Sequence, residues 1–211
     1  AAIRSDGTLW TWGDNGAGTL GLGNTTNYSS PKQVGALTTW SKIVGGDGFF
    51  LAIKTDGTLW SWGNNYGRLG LGNTTLYSSP KQVGSNTNWK SASCSIGWSL
   101  AVTTAGTLFA WGANNYGQLG LGNSTNYSSP KQVGALTTWA SSGGSGASGF
   151  AIKTTGTLWA WGYNGSGQLG FGNTTSCSSP IQVGSLTNWL SVCGANYSTA
   201  SIKTDGTLWT W

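Results

Sequence analysis

Chemistry that needs a side chain titrating near neutrality has little to draw on in this sequence. There is no histidine and no glutamate, and the only acids are Asp6, Asp14, Asp47, Asp56 and Asp205. Asp6, Asp56 and Asp205 occupy the same repeated turn, while Asp14 and Asp47 stand apart without evident partners. General acid–base catalysis needs a positioned proton carrier, and a serine or cysteine nucleophile needs a base beside it. Neither pattern is present, so no catalytic residue is assigned and an enzyme is not expected. The three cysteines, Cys94, Cys177 and Cys193, fall at unrelated places in the sequence repeat described below. They read as small, wholly or partly buried residues and not as a zinc set or a disulfide frame, so no metal and no cofactor is expected. The string Gly117-Gln118-Leu119-Gly120-Leu121-Gly122 has the look of a phosphate cradle, but no helix follows it. Tight packing near the axis of the fold is expected of it instead.

Residues that could recognise rather than react are more plentiful. Tyr28, Tyr77 and Tyr127 follow Asn/Thr-rich loops, and Asn27 and Asn126 immediately precede two of them. Tyrosine offers contact area at low entropic cost. Such a rim suits a protein surface or a sugar, and packing would use the same residues equally well. Asn24, Asn73, Asn123 and Asn173 each head an Asn-Thr-Thr or Asn-Ser-Thr triplet, read as loop-forming polar residues. The net charge is +5, but the ten Lys and Arg are spread along the chain at roughly two per repeat. Phosphate binding needs concentrated charge, so nucleic acid is not an expected partner. No apolar run approaches the length of a transmembrane helix, and no signal peptide is visible. The chain lacks methionine altogether, which reads as processing or as a piece of something longer.

The elements that must position these residues are set by a repeat. Gly7, Gly57, Gly106, Gly156 and Gly206 recur with a period of 49 to 50 residues, and so do Pro31, Pro80, Pro130 and Pro180. Trp12, Trp62, Trp111, Trp161 and Trp211 keep the same spacing. The repeats run approximately over 1–50, 51–99, 100–149 and 150–199 within a single domain of 1–211, and 200–211 begins a fifth. Each period reads as four short extended pieces joined by Gly turns, with no helical periodicity, which is an all-β pattern. Asp is replaced by Ala105 and Thr155 in two copies of the turn, whereas its glycine never changes. Gly57, Gly106 and Gly156 are therefore expected to take positive φ in a three- to four-residue hairpin. Thirteen of the fourteen tryptophans fall in three columns of the repeat, Trp98 being the exception. One repeat cannot bury that many indoles alone. Blades stacked face to face can, and Trp12, Trp62, Trp111 and Trp161 are expected to be structural.

The string Trp111-Gly112-Ala113-Asn114-Asn115-Tyr116-Gly117-Gln118-Leu119-Gly120-Leu121-Gly122 resembles the core of regulator-of-chromosome-condensation repeats. It recurs from Trp161 to Gly172 and more loosely from Trp12 and Trp62, and Pro130-Lys131-Gln132-Val133 matches as well. The resemblance implies a β-propeller of four-stranded blades, normally seven. About four blades are expected here, as part of a longer or multi-chain propeller. Where the family often carries histidine, this chain has Gly48, Gly97, Ala147 and Tyr197.

Low charge, abundant Thr, Ser, Asn and Gly, and near-identical copies point to a non-enzymatic structural or recognition propeller of phage or bacterial type. The expected setting is a virion fibre, a decoration or baseplate-associated protein, or an exterior surface adhesin. Its partners would be other structural proteins, further copies of the chain, or a host-surface glycan. Two alternatives stand beside this. One is an intracellular regulatory scaffold or small-GTPase exchange factor, as the resemblance implies; the other is a glycan-binding lectin with one site per blade. The long loops are so alike that no blade is singled out as a partner site.

Overall fold

The computed structural model describes all 211 residues and contains only strands, turns and bends. Three complete four-stranded antiparallel sheets are flanked by two three-stranded ones, in an open arc. The second blade shows the plan. Its inner strand is Trp40–Gly45, its second Phe49–Lys54, its third Leu59–Gly63 and its outer Tyr77–Gln82, each paired with the next in sequence. The first sheet holds second, third and outer strands; the fifth holds inner, second and third. No helix is long and apolar enough to cross a membrane.

The hairpin between second and third strands closes as its sequence demands. Lys54 and Thr58 pair through the Lys54 N–H at 3.0 Å, and the Gly57 N–H reaches the Lys54 carbonyl at 3.0 Å. Gly57 sits at φ 76°, Gly106 at 77° and Gly156 at 76°, and no other residue type has positive φ anywhere in the chain. Space matters as much as angle: a Cβ on Gly57 would lie 2.1 Å from the Thr87 carbonyl oxygen, on the segment that leads into the next blade.

Inner strands of successive blades lie side by side, so they converge on the axis. The outer strand carries proline (Pro80 in the second blade) at a free edge, where a missing N–H costs no ladder bond. Each blade turns two unlike faces to its neighbours. Along Leu59-Trp60-Ser61-Trp62 the two indoles share one side, as the period of two dictates. Trp62 packs with Leu9 and Val34 of the preceding blade, while Leu51, Ile53 and Leu59 meet Trp89 and Trp111 of the following one. Every internal blade is therefore covered on both sides, and Trp62, Trp111 and Trp161 are wholly buried. Trp12, in the first sheet, is 43% exposed, and Leu208, in the fifth, is 65% exposed.

A directed hydrogen bond reinforces each junction. The Nε1–H of Trp62, Trp111, Trp161 and Trp211 donates to the carbonyl of Thr19, Arg68, Gln118 and Gln168, each in the long loop of the preceding blade, at 2.8 Å. Gly120 of the Gly117–Gly122 string abuts the Trp161 ring. That string lies between blades, near their third strands, and not at the axis as its sequence led one to expect.

Candidate recognition site

The invariant features of the repeat are occupied in holding loops. Asn114, fully buried, donates through Nδ2 to the carbonyls of Asn123 and Thr125 at 3.0 Å each, and its Oδ1 accepts the Leu119 N–H at 2.9 Å. Asn15, Asn65 and Asn164 do the same in their own blades. The Oδ1 atoms of Asn27 and Asn126 accept the backbone N–H of Asn15 and Asn114 at 2.7 and 2.6 Å. Half-buried Tyr28, Tyr77 and Tyr127 each receive a side-chain N–H from Asn24, Asn73 or Asn123, and each has a lysine ammonium over its ring, at 5.3 to 5.6 Å. Tyr77 and Tyr127 also lean on the cores between blades. Because each tyrosine opens the outer strand of its own blade, the fold spreads the three along the rim and does not bring them together.

The repeated aspartates belong to the turn. Asp56 Oδ1 accepts from the Thr58 N–H at 2.9 Å and from its hydroxyl at 2.7 Å, and that hydroxyl in turn accepts from the Trp60 indole. The side-chain hydrogen bond from threonine, followed by the backbone one, holds the Asp6, Asp56 and Asp205 carboxyls below their ordinary value. A lysine caps the same stack: Lys54 Nζ lies 3.6 Å from the Trp60 ring centre, Lys153 3.6 Å from Trp159 and Lys203 3.7 Å from Trp209. The third blade carries Thr103 and Phe109 at these two places, so cation and indole are lost as a pair. No three His, Cys, Asp or Glu side chains converge as a metal-holding group.

The blades also differ on their loop face. A groove of about 380 Å³ crosses the loop face of the third, fourth and fifth blades, lined by Trp98, Tyr116, Tyr163 and Tyr197 among others. Its floor is Trp98, 1% exposed, whose Nε1–H is locked onto the Gly146 carbonyl at 2.7 Å. Its walls are Tyr116 and Tyr163, edge to face with centroids 5.2 Å apart, and Tyr197, 68% exposed. Gln118 turns its side-chain oxygen to the Tyr116 N–H at 2.9 Å, which leaves its NH₂ as the free donor beside the groove. Ile96 and Asn196 complete the wall, and no charged side chain lines it.

The same face is charged at its other end. Seven residues beyond the inner-strand tryptophan stands Asp47 in the second blade, against Ile96, Gly146 and Asn196 in the next three. Eight beyond it stands Gly48, against Gly97, Ala147 and Tyr197. Arg68 replaces the Gln118 type; it donates to the Asp47 carbonyl at 2.7 Å and lies 5.3 Å over Tyr66. The short loops between inner and second strands thus single out one region, contrary to the uniformity of the long loops. Two sequence signals marked it: Trp98, the one tryptophan outside the three columns, and Tyr197, the bulky residue where the family often has histidine.

The model of the regulator of chromosome condensation (RCC1) repeat matches residues 6–53, 56–102, 105–147 and 155–202, nearly the whole chain. The chain belongs to this family. A second RCC1 repeat model matches 40–68 and 89–118. A comparison with curated protein sequences gives no match. Among solved structures, human WBSCR16 is 22% identical with a TM-score of 0.84, covering 96% of this chain and 55% of that one. Prp20p from Saccharomyces cerevisiae, described with its binding properties to Gsp1p and histones, is 16% identical with a TM-score of 0.84, over 100% and 55%. Yeast RCC1 (Prp20) bound to Kap60 is 17% identical with a TM-score of 0.83, over 100% and 53%. The chain therefore spans about half the length of the propellers it matches. These are cellular proteins of human and yeast, and they overturn the expected virion or cell-surface location. The fibre, baseplate and adhesin roles, which rest on composition and on the likeness of the copies, find no support among these matches. Low charge and abundant Ser, Thr, Asn and Gly follow from the repeated turns and Asn-held loops, and carry no information about location.

Proposed function

We propose that this RCC1-repeat propeller is a non-catalytic recognition module of regulatory type, which meets a protein partner with the loop face of its third to fifth blades. One observation carries the reading. Repeats that are otherwise nearly identical diverge into an uncharged aromatic groove at that face, and aromatic side chains are what protein contacts favour at their centres. The five aspartates supply no acid–base pair: three are tied into turns, and Asp14 and Asp47 lie in different blades. The rim set Tyr28, Tyr77, Tyr127, Asn27 and Asn126 is the competing surface; we assign it to the scaffold because the Oδ1 atoms of Asn27 and Asn126 and the three tyrosine hydroxyls already accept hydrogen bonds from their own blades.

A second reading, small-GTPase exchange, is favoured by the family and by a solved relative described as binding Gsp1p and histones. Both readings are tested by surface plasmon resonance against purified small GTPases and core histones, with release of fluorescent GDP followed in parallel. Saturable binding that Tyr197→Ala abolishes and Tyr77→Ala spares supports the loop face. Binding lost only in Tyr77→Ala assigns recognition to the rim, and accelerated GDP release selects exchange.

A further inference from the structure

We infer that the groove bounded by Trp98, Tyr116, Tyr163 and Tyr197 takes an uncharged, proline-rich segment in the polyproline II conformation. The inference rests on the loop-face reading above and names its ligand class. The recognition modes open to a peptide can be sorted by what this groove offers. Phosphorylated, acidic or basic motifs need opposite charge, and no Lys, Arg or Asp lines it. Adding a strand needs a free sheet edge, but the groove is walled by the connections at Ile96-Gly97, Gly146-Ala147 and Asn196-Tyr197; the two strands flanking each connection pair with each other, and the inner strand's open edge lies toward the neighbouring inner strands. An amphipathic helix asks for an aliphatic trough, and Ile96 is the only aliphatic side chain larger than alanine among the lining residues.

What remains is aromatic ridges with a few hydrogen-bond donors. A polyproline II segment makes no internal hydrogen bonds, so its carbonyls face outward and seek donors, and its rings pack between aromatic side chains. The Tyr116 and Tyr163 rings stand at 66° to each other, which forms a ridge and not a flat platform. The Gln118 NH₂ and the tyrosine hydroxyls supply donors. The Trp98 indole N–H is committed to Gly146, so this ring offers only its surface. Because Trp98 is locked and the Tyr116–Tyr163 pair is in contact, little ordering accompanies binding, which favours affinity for a ligand that is itself stiff. A sugar is served less well: planar arrays of polar side chains would be needed for its hydroxyls, and here Gln118 and Asn196 are the only carboxamides.

The test is fluorescence anisotropy with the intact chain and a capped, uncharged, labelled peptide of proline pairs separated by leucine. A Gly/Ser peptide of equal length is the control, and neutral oligosaccharides are the competitors. Saturable binding of the proline peptide is expected, weakened about tenfold or more by Tyr197→Ala and by Tyr116→Ala, as for contacts at the centre of an interface. Tyr197→Phe should stay within about threefold of wild type, since the ring is kept. Both tyrosines are largely exposed, at 68% and 56%, so unchanged thermal melting will show that the variants fold. No saturable binding, binding indifferent to both alanine substitutions, or displacement by an oligosaccharide that itself loses affinity in Tyr197→Ala would overturn the inference. A silent peptide alongside retained, Tyr197-dependent capture of a folded protein would sink this inference and leave the loop-face reading standing.

Discussion

Trp111 and Trp161 occupy the same place in adjacent blades, both wholly buried, yet removing their indole nitrogens should have unequal consequences. Trp111 Nε1–H donates to the Arg68 carbonyl at 2.8 Å, and that oxygen also accepts the Ser99 hydroxyl at 2.9 Å. Trp161 Nε1–H donates to the Gln118 carbonyl at 2.8 Å, but Gly149 stands where Ser99 would, and no second donor reaches that oxygen. In Trp→Phe variants the lost ring volume is common to both sites and costs on the order of 2 kcal/mol. In Trp161→Phe a buried carbonyl is also left without a partner, adding about 1–3 kcal/mol. In Trp111→Phe the serine keeps the carbonyl satisfied. Trp161→Phe should therefore be the less stable variant by about 1–3 kcal/mol, or roughly 2–12 °C in melting temperature for a chain of this size. Urea denaturation followed by circular dichroism measures this, compared at equal m value so that a change in cooperativity is not mistaken for stability. Adding Ser99→Ala to Trp111→Phe should erase the difference. Equal losses in the two single variants, or a larger loss in Trp111→Phe, would refute the role given to these bonds.

Three further outcomes follow from named contacts. Gly106→Ala meets both a positive φ of 77° and the Thr137 carbonyl 2.2 Å from the new Cβ, whereas Gly134→Ala meets only its φ of 61° with open space around it. The second should cost about 1 kcal/mol and the first clearly more, read from thermal melts. Asp56 has a folded pKa held below 3.8 by its bonds from Thr58, so its contribution is present above the unfolded value and fades as pH falls through the folded one. Asp56→Ala should flatten that part of the acid limb of stability, measured by denaturation across the acid range, and Thr155→Ala in the matching turn should leave it unchanged. Burial pushes the Cys94 thiol up to about 12, while Cys193 is exposed. Iodoacetamide at mildly alkaline pH should label Cys193 and spare Cys94 in the folded chain, read by peptide mass spectrometry.

What the sequence made legible is what every blade must do alike. The columns of Trp62, Trp111 and Trp161 recur because each indole must reach back to the preceding blade. Gly57 recurs because its turn faces the Thr87 carbonyl. Spacing says nothing of distance from the axis, so the Gly117–Gly122 string was misplaced; only the contacts among inner strands show which strand is central. Asn27 and Asn126 accept backbone N–H groups of Asn15 and Asn114, a role that spacing does not reveal, because a polar side chain in a loop reads the same whether it meets a partner or its own backbone. The groove was hard to see for the opposite reason. It is built from departures, Ile96, Trp98, Tyr163 and Tyr197, scattered over three blades at positions with no shared motif. A reading tuned to periodicity averages such residues away, although Trp98 and Tyr197 each broke the pattern visibly.

The most direct test of where recognition sits is site-specific photo-crosslinking in the native host. Tyr197→p-benzoylphenylalanine places the probe on the loop face, and Tyr77→p-benzoylphenylalanine places it on the rim. A discrete protein adduct from position 197, absent from position 77, is the expected result. An adduct from position 77 alone would contradict it.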